Sequence, residues 1–172
     1  TERQALHVAR AIASALHFVH AENILHYDIK PENILFRSEE RVILADFGIA
    51  RSLADKNPAA SLLDTSTGTP AYMAPEQFTS GSMGVAGEVD RRTDMYALGV
   101  VLYEMLTGEQ PYKAASWSEL QLLHIRNEIP RLPSRLERYQ ELVDTLMAGD
   151  PMERPANGRK VVALIDELRG GR

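Results

Sequence analysis

The chain has 172 residues, 44% hydrophobic and 25% charged, a balance that gives one globular domain with a core of its own and excludes a disordered chain. Its 19 Lys and Arg against 24 Asp and Glu leave a net charge of -5, so no nucleic acid partner is expected. With 0 Cys there is no disulfide framework, thiolate zinc site or cysteine nucleophile, and a reducing, cytoplasmic setting is the simpler expectation.

Thr1-Glu2-Arg3-Gln4 has capping-box spacing, and Leu6, Ala9, Ile12, Ala13, Leu16 and Val19 follow at helical intervals. That pattern predicts an amphipathic helix over residues 2–20. A first residue of Thr1, with no basic stretch leading into an apolar core, predicts a cut domain rather than a secreted precursor. Two β-type runs, residues 34–36 and 42–44, flank the polar stretch Arg37 to Arg41 and predict a hairpin, which needs a helical floor to be stable. From Asp46 to Glu76 the text is loop-like, with Lys56-Asn57-Pro58 and then Asp64-Thr65-Ser66-Thr67-Gly68-Thr69-Pro70. Ordered loops of this length usually carry function.

Residues 94–107 are almost wholly apolar and closed by Gly108, which predicts a helix buried on all sides at the centre of a helical domain. Its apolar run contains Glu104 and falls well short of the roughly 20 residues that cross a bilayer, so no membrane span is expected. Three further helices are expected at 117–127 behind a Ser116 to Glu119 capping box, at 136–148, and at 158–168 behind Asn157, with Pro130, Pro133, Pro151 and Pro155 between them. Gly81, Gly84 and Gly87 predict a surface insertion rather than a phosphate cradle, because no strand precedes them. The expected class is mainly α (α+β), with one small hairpin.

Chemistry concentrates between the first helix and the hairpin, in His26-Tyr27-Asp28-Ile29-Lys30-Pro31-Glu32-Asn33. Singly, Asp28 reads as a turn residue, Lys30 as a solvated tip and Asn33 as an Asx turn. Asp46-Phe47-Gly48 at the end of the second β-type run changes the balance. Mg²⁺ is held by one or two carboxylate or amide oxygens together with waters and substrate phosphates, which suits Asn33 and Asp46 at either end of one hairpin. His17 and His20 stand three apart on the first helix, but without a third ligand a metal pair is the weaker reading.

The array 26–33 resembles the catalytic loop of serine/threonine protein kinases of the eukaryotic (Hanks) type, Asp46-Phe47-Gly48 resembles their metal-binding triplet, and Ala74-Pro75-Glu76 resembles the marker that closes their activation segment, here 46–76. Asp94-Met95-Tyr96-Ala97-Leu98-Gly99 is similar to the family's central buried helix, and Gly68 to Gln77 is most similar to bacterial members. The resemblance covers residues 1–172 as the large helical C-terminal lobe of a kinase domain, with the small N-terminal lobe absent. It implies Asp28 as the group that orients or accepts the substrate hydroxyl proton, and Lys30 as the neutraliser of the γ-phosphate. It further implies Asn33 and Asp46 as holders of Mg²⁺ (or Mn²⁺), Lys30, Glu32, Asn33, Leu35 and Asp46 around ATP, and Leu35 beneath the adenine. Thr69 would face a protein substrate. His26 and Phe47 would stack on one another and towards Asp94, and Arg154 would pair with Glu76, all as structural residues.

Two departures from the family pattern stand out. Tyr27 replaces the Arg that commonly grips an activation-loop phosphate, which removes the expectation of control through Thr65, Ser66 or Thr67. No two Gly are separated by one residue, and none of the four Lys, Lys30, Lys56, Lys113 and Lys160, follows a β-type run, so neither a phosphate-covering Gly-rich loop nor its anchoring Lys is present. The expectation is an ATP-dependent kinase lobe, nearly inactive without its small lobe; the alternatives are an isolated docking or dimerisation module and a pseudokinase, the latter disfavoured by intact Asp28, Lys30, Asn33 and Asp46.

Overall fold

A computed structural model of the chain describes residues 1–38, 40–47, 51–52, 70–79 and 89–170. The expectations resting on Gly48, on Thr65, Ser66, Thr67 and Thr69, and on Gly81, Gly84 and Gly87 lie outside the described residues.

Helix α1 (Glu2–Ala21) starts where Thr1 caps it: the Gln4 amide donates to Thr1 Oγ1 at 3.3 Å, and the Gln4 side chain reaches back to the cap backbone. Its apolar face, Ala5, Leu6, Val8, Ala9, Ile12, Ala13 and Leu16, is buried against α3 and α6. The hairpin forms at the expected residues, β2 (Ile34–Phe36) antiparallel to β3 (Val42–Leu44) with Ile34 opposite Leu44 and Phe36 opposite Val42. Ile34 and Leu44 turn inward while Leu35, Phe36 and Ile43 remain exposed. As expected, α1 lies beneath β3 and supplies the helical floor.

The segment 46–76 is not loop throughout. Arg51–Ser52 forms β4, paired antiparallel with β1 (Ile24–Leu25), a 3-10 turn covers Pro70–Tyr72, and α2 (Pro75–Thr79) begins one residue before Glu76. Two-residue strands leave no period to read in sequence.

The central helix α3 runs Arg91–Thr107, three residues longer at its start than expected, because Asp90 caps it by accepting from the Arg92 amide at 2.7 Å. Gly108 closes it in the left-handed region at φ 83°. From Met95 to Leu102 every residue is buried, which its unbroken hydrophobicity required. Helix α4 (Trp117–Arg126) is capped by Ser116 and ends at Asn127, φ 52°. The expected helix 136–148 divides into a 3-10 turn, Ser134–Tyr139, and α5 (Gln140–Leu146): Tyr139 is already αR but leads out of the tighter turn, so the helical repeat changes there. Helix α6 (Gly158–Gly170) extends two residues beyond expectation.

Two glycines set how closely the helices approach. Gly99 lets α3 meet α5, since a Cβ there would stand 2.8 Å from Leu146 Cβ. Gly158 lets the start of α6 touch the α1 backbone, where a Cβ would lie 1.9 Å from the Ala13 carbonyl oxygen. Backbone cannot swing aside as a side chain does, so Gly158→Ala is expected to lower stability by about 2 kcal/mol in urea unfolding through overpacking. Gly170→Ala, with nothing within 4 Å of the added carbon, should be neutral.

Candidate active site

The loop after β1 takes its shape from one carboxylate. Asp94, in the first turn of α3 and 1% exposed, accepts three hydrogen bonds: from the His26 amide at 2.9 Å, from the Tyr27 amide at 2.9 Å, and from His20 Nε2 at 2.7 Å. Tyr27 sits at φ 66°, a conformation that costs a non-glycine residue roughly 1–3 kcal/mol unless its surroundings enforce it. Asp94 supplies that enforcement. His20 is therefore the partner of Asp94 and not half of a metal pair with His17, which faces solvent at the surface of α1.

His26 lies within this arrangement, but not as expected in full. Its imidazole accepts from the Asp28 amide at Nδ1 (3.3 Å) and donates from Nε2 to the Ala45 carbonyl (3.0 Å), so only its backbone reaches Asp94. The predicted contact with Phe47 is present, edge-on with ring centroids 4.6 Å apart.

Asp28, Lys30 and Asn33 converge. Asn33 Nδ2 donates to the Asp28 carbonyl at 2.7 Å and to Asp28 Oδ2 at 2.9 Å, and Lys30 Nζ lies 2.7 Å from the same carboxylate oxygen. Asp28 and Lys30 stay partly accessible, with side chains 11% and 19% exposed. Because the Asn33 amide hydrogens are directed at Asp28, its Oδ1 is the oxygen the residue can offer elsewhere. Asp46 enters from the other end of the hairpin: the Ala45 amide donates to the Asn33 carbonyl at 2.8 Å, so Asp46 is the next residue along, exposed and held at φ 60°. An amide oxygen and a carboxylate on neighbouring backbone suit a hard cation that keeps waters and phosphate oxygens as its other ligands. No cluster of three or more His, Cys, Asp or Glu with metal-holding geometry occurs among the described residues. Glu32 is exposed beside Asn33, and half-exposed Leu35 projects from the hairpin's outer face.

A second anchor lies behind the segment that ends at α2. Glu76 and Arg154 form a bidentate pair at 2.7 and 2.8 Å with both side chains buried, and Thr93 Oγ1 donates to Glu76 Oε1 at 2.8 Å. Arg154 also donates to the carbonyls of Ala148, Arg92 and Gly149, and its guanidinium lies 4.9 Å from the centre of the Tyr96 ring. Tyr72, in the turn just before α2, donates to Glu104 Oε2 at 2.7 Å and accepts from Gln110 Nε2 at 3.2 Å; burial and the Glu104 carboxylate push its hydroxyl pKa well up. Spacing along the chain gave no sign of the Tyr72, Glu104 and Gln110 group. The apolar face of α1 did carry a signal for His20, since it continues the buried stripe of Ile12, Ala13 and Leu16.

A protein kinase domain model matches residues 1–163. The chain belongs to the protein kinase family. It is similar to the serine/threonine-protein kinase PknD of Mycobacterium tuberculosis (strain CDC 1551 / Oshkosh), 40% identical over 98% of this chain. It is likewise similar to PknH of Mycobacterium bovis, at 38% over 97%, and to PknB of Mycobacterium tuberculosis (strain ATCC 25177 / H37Ra), at 34% over 95%. The chain spans about a quarter of the length of these curated relatives, 25%, 27% and 25% respectively.

Two expectations concern buried ionisable groups near this site. Removing the cation of the buried pair strands the Glu76 charge, so Arg154→Met should cost about 3–5 kcal/mol in urea unfolding at pH 7, partly recovered when Glu76→Gln is added. The second concerns His124 of α4, whose pKa burial lowers from 6.5 to about 4 against a weaker opposing pull from the Ala71 carbonyl. The unfolded chain binds this proton near pH 6.5 and the folded one only near 4, so the residue's contribution is complete above about pH 6.5 and is lost as pH falls towards 4. Between pH 7 and 4.5 the wild-type chain should therefore lose about 2 kcal/mol or more beyond what His124→Phe loses, compared by urea unfolding at both values.

Proposed function

We propose that the chain is the large helical lobe of a cytoplasmic serine/threonine protein kinase, which transfers the γ-phosphoryl group of ATP to a protein Ser or Thr hydroxyl once a small lobe covers the nucleotide. The observation that carries this reading is the convergence of Asn33 and Lys30 on Asp28 Oδ2, at 2.9 and 2.7 Å, beside the hairpin end that bears Asp46.

In this reading Asp28 meets the substrate hydroxyl. Its carboxylate is oriented by the Asn33 amide, leaving it able to hold the hydroxyl proton as the oxygen bonds to phosphorus and the bond from phosphorus to the departing ADP oxygen breaks. Lys30, paired here with Asp28 at 2.7 Å, would turn to the transferring phosphoryl group, where an ammonium offsets charge spread over its oxygens. Asn33 Oδ1 and Asp46 are the residues that would hold Mg²⁺. When bound, that ion neutralises phosphate charge and orients the chain of phosphates. Leu35 would lie under the adenine, Glu32 beside the nucleotide, and Thr69 against the protein substrate. His26, Phe47 and Asp94 serve by fixing the loop, and Glu76 with Arg154 by fixing the segment after it.

The exposed apolar side chains Leu35, Phe36, Ile43 and Phe47 cluster on and beside the hairpin and support a missing cover. They equally favour the second reading, a docking or dimerisation module with no phosphoryl transfer of its own.

The two readings separate in one assay of Mg²⁺-dependent phosphate incorporation into a basic protein, run on this chain and on a form extended N-terminally through a small lobe. The kinase reading expects activity in the extended form, little in the chain alone, and a loss of about 10²- to 10⁴-fold in kcat for Asp28→Asn. Inactivity of both forms, with specific protein binding retained, would establish the docking reading instead.

A further inference from the structure

His124 is completely buried although it belongs to α4, whose Trp117, Leu122 and Ile125 face solvent. Its ring is packed by three separate pieces of chain: Phe78 of α2 at 5.4 Å, Tyr96 of α3 at 5.9 Å, and Tyr112 edge-on at 4.8 Å. The Tyr96 hydroxyl lies 3.0 Å from Nδ1. Nε2 has no hydrogen-bond partner among the described residues, and the turn that carries the Ala71 carbonyl packs against α4. A buried ring nitrogen left without a partner needs a reason.

The pieces on either side supply one. Ala71 belongs to Pro70–Tyr72, the turn leading to α2, and α4 packs on both that turn and α2. Tyr96, on the other side, carries Arg154 over its ring and so joins the Glu76 anchor. A neutral imidazole has one acceptor and one donor nitrogen, which suits a hydroxyl on one side and a carbonyl on the other. An apolar ring would fill the same space without reaching either.

We propose that His124 is a positioning residue for the substrate-facing turn, accepting from the Tyr96 hydroxyl and presenting Nε2–H to the Ala71 carbonyl, so that α4 sets where Pro70–Tyr72 stands relative to α3. The assignment of that turn to the protein substrate rests on the kinase reading above; the positioning itself does not.

Amide hydrogen exchange on the 172-residue chain tests the positioning without any need for activity. His124→Phe keeps ring volume and removes both polar contacts, and His124→Leu carries the same comparison should the phenyl ring not be accommodated; His124→Gln keeps one acceptor and one donor. The Met73 amide, bonded to Pro70 at 3.2 Å, should exchange at least tenfold faster in His124→Phe and return to within about threefold of wild type in His124→Gln, while the Ala45 and Gly108 amides stay within twofold. Unchanged exchange at Met73, or equal acceleration at all three amides, overturns the proposal. In the form extended through a small lobe, the same variant should raise KM for a peptide about tenfold and leave KM for ATP within twofold. Equal changes in both constants overturn the substrate role alone, and an inactive wild type counts against the kinase reading while leaving the exchange result to decide the positioning.

Discussion

The buried Asp94 carboxylate holds the end of α1 and the loop after β1 in one arrangement. Placing a charge where 1% of the residue meets solvent is costly unless its oxygens are satisfied, and here His20, the His26 amide and the Tyr27 amide satisfy them. Charge-assisted bonds of this kind are stronger than neutral ones, which lets the carboxylate hold Tyr27 at a positive φ that the residue would not adopt alone. The direction in which Asp28 leaves the loop follows from that backbone. A carboxylate in the first turn of a helix also gains from the helix dipole, so α3 itself favours the charge that orders the loop.

The same turn of α3 carries the second anchor. Thr93 donates to Glu76 and the Arg92 carbonyl accepts from Arg154, so the loop bearing Asp28 and the segment ending at Glu76 are registered against three successive residues of one helix. Beyond that turn α3 is buried without a break from Met95 to Leu102 and is fixed by α1 and α5, with Gly99 allowing the close approach to α5. Rigidity in the core is thereby transmitted to the two polar segments, which have little apolar surface of their own. Under the kinase reading proposed above, a site assembled from loops needs such a support, because phosphoryl transfer depends on positioning more than on covalent chemistry.

Local features were readable residue by residue. The capping box at Thr1 and Gln4, the hairpin at 34–36 and 42–44, and the stop at Gly108 each arise from contacts among near neighbours, so their signals lie within a few residues. Asp28, Lys30 and Asn33 stood out in sequence as one dense array, at most five positions apart, whereas their meeting at a single Asp28 oxygen was supplied by the structure. Less was visible where geometry overrides pattern. The start of α3 depends on Asp90 rather than on hydrophobicity, the division between the 3-10 turn and α5 has no compositional mark, and β4 is too short to show a period.

By itself, then, the amino-acid order determined which side chains stand in the loop between α1 and the hairpin, that a hairpin separates Asn33 from Asp46, and that an almost wholly apolar helix must lie at the centre. Tertiary structure alone decided that His20 serves Asp94 across 74 positions, that the His26 ring turns to Ala45, and that His124 is enclosed between α2 and α3. The physical reason is range: caps, turns and periodicity act between near neighbours, whereas the pairing of a buried charge or imidazole is chosen by whatever distant donors and acceptors the packed helices bring within about 3 Å.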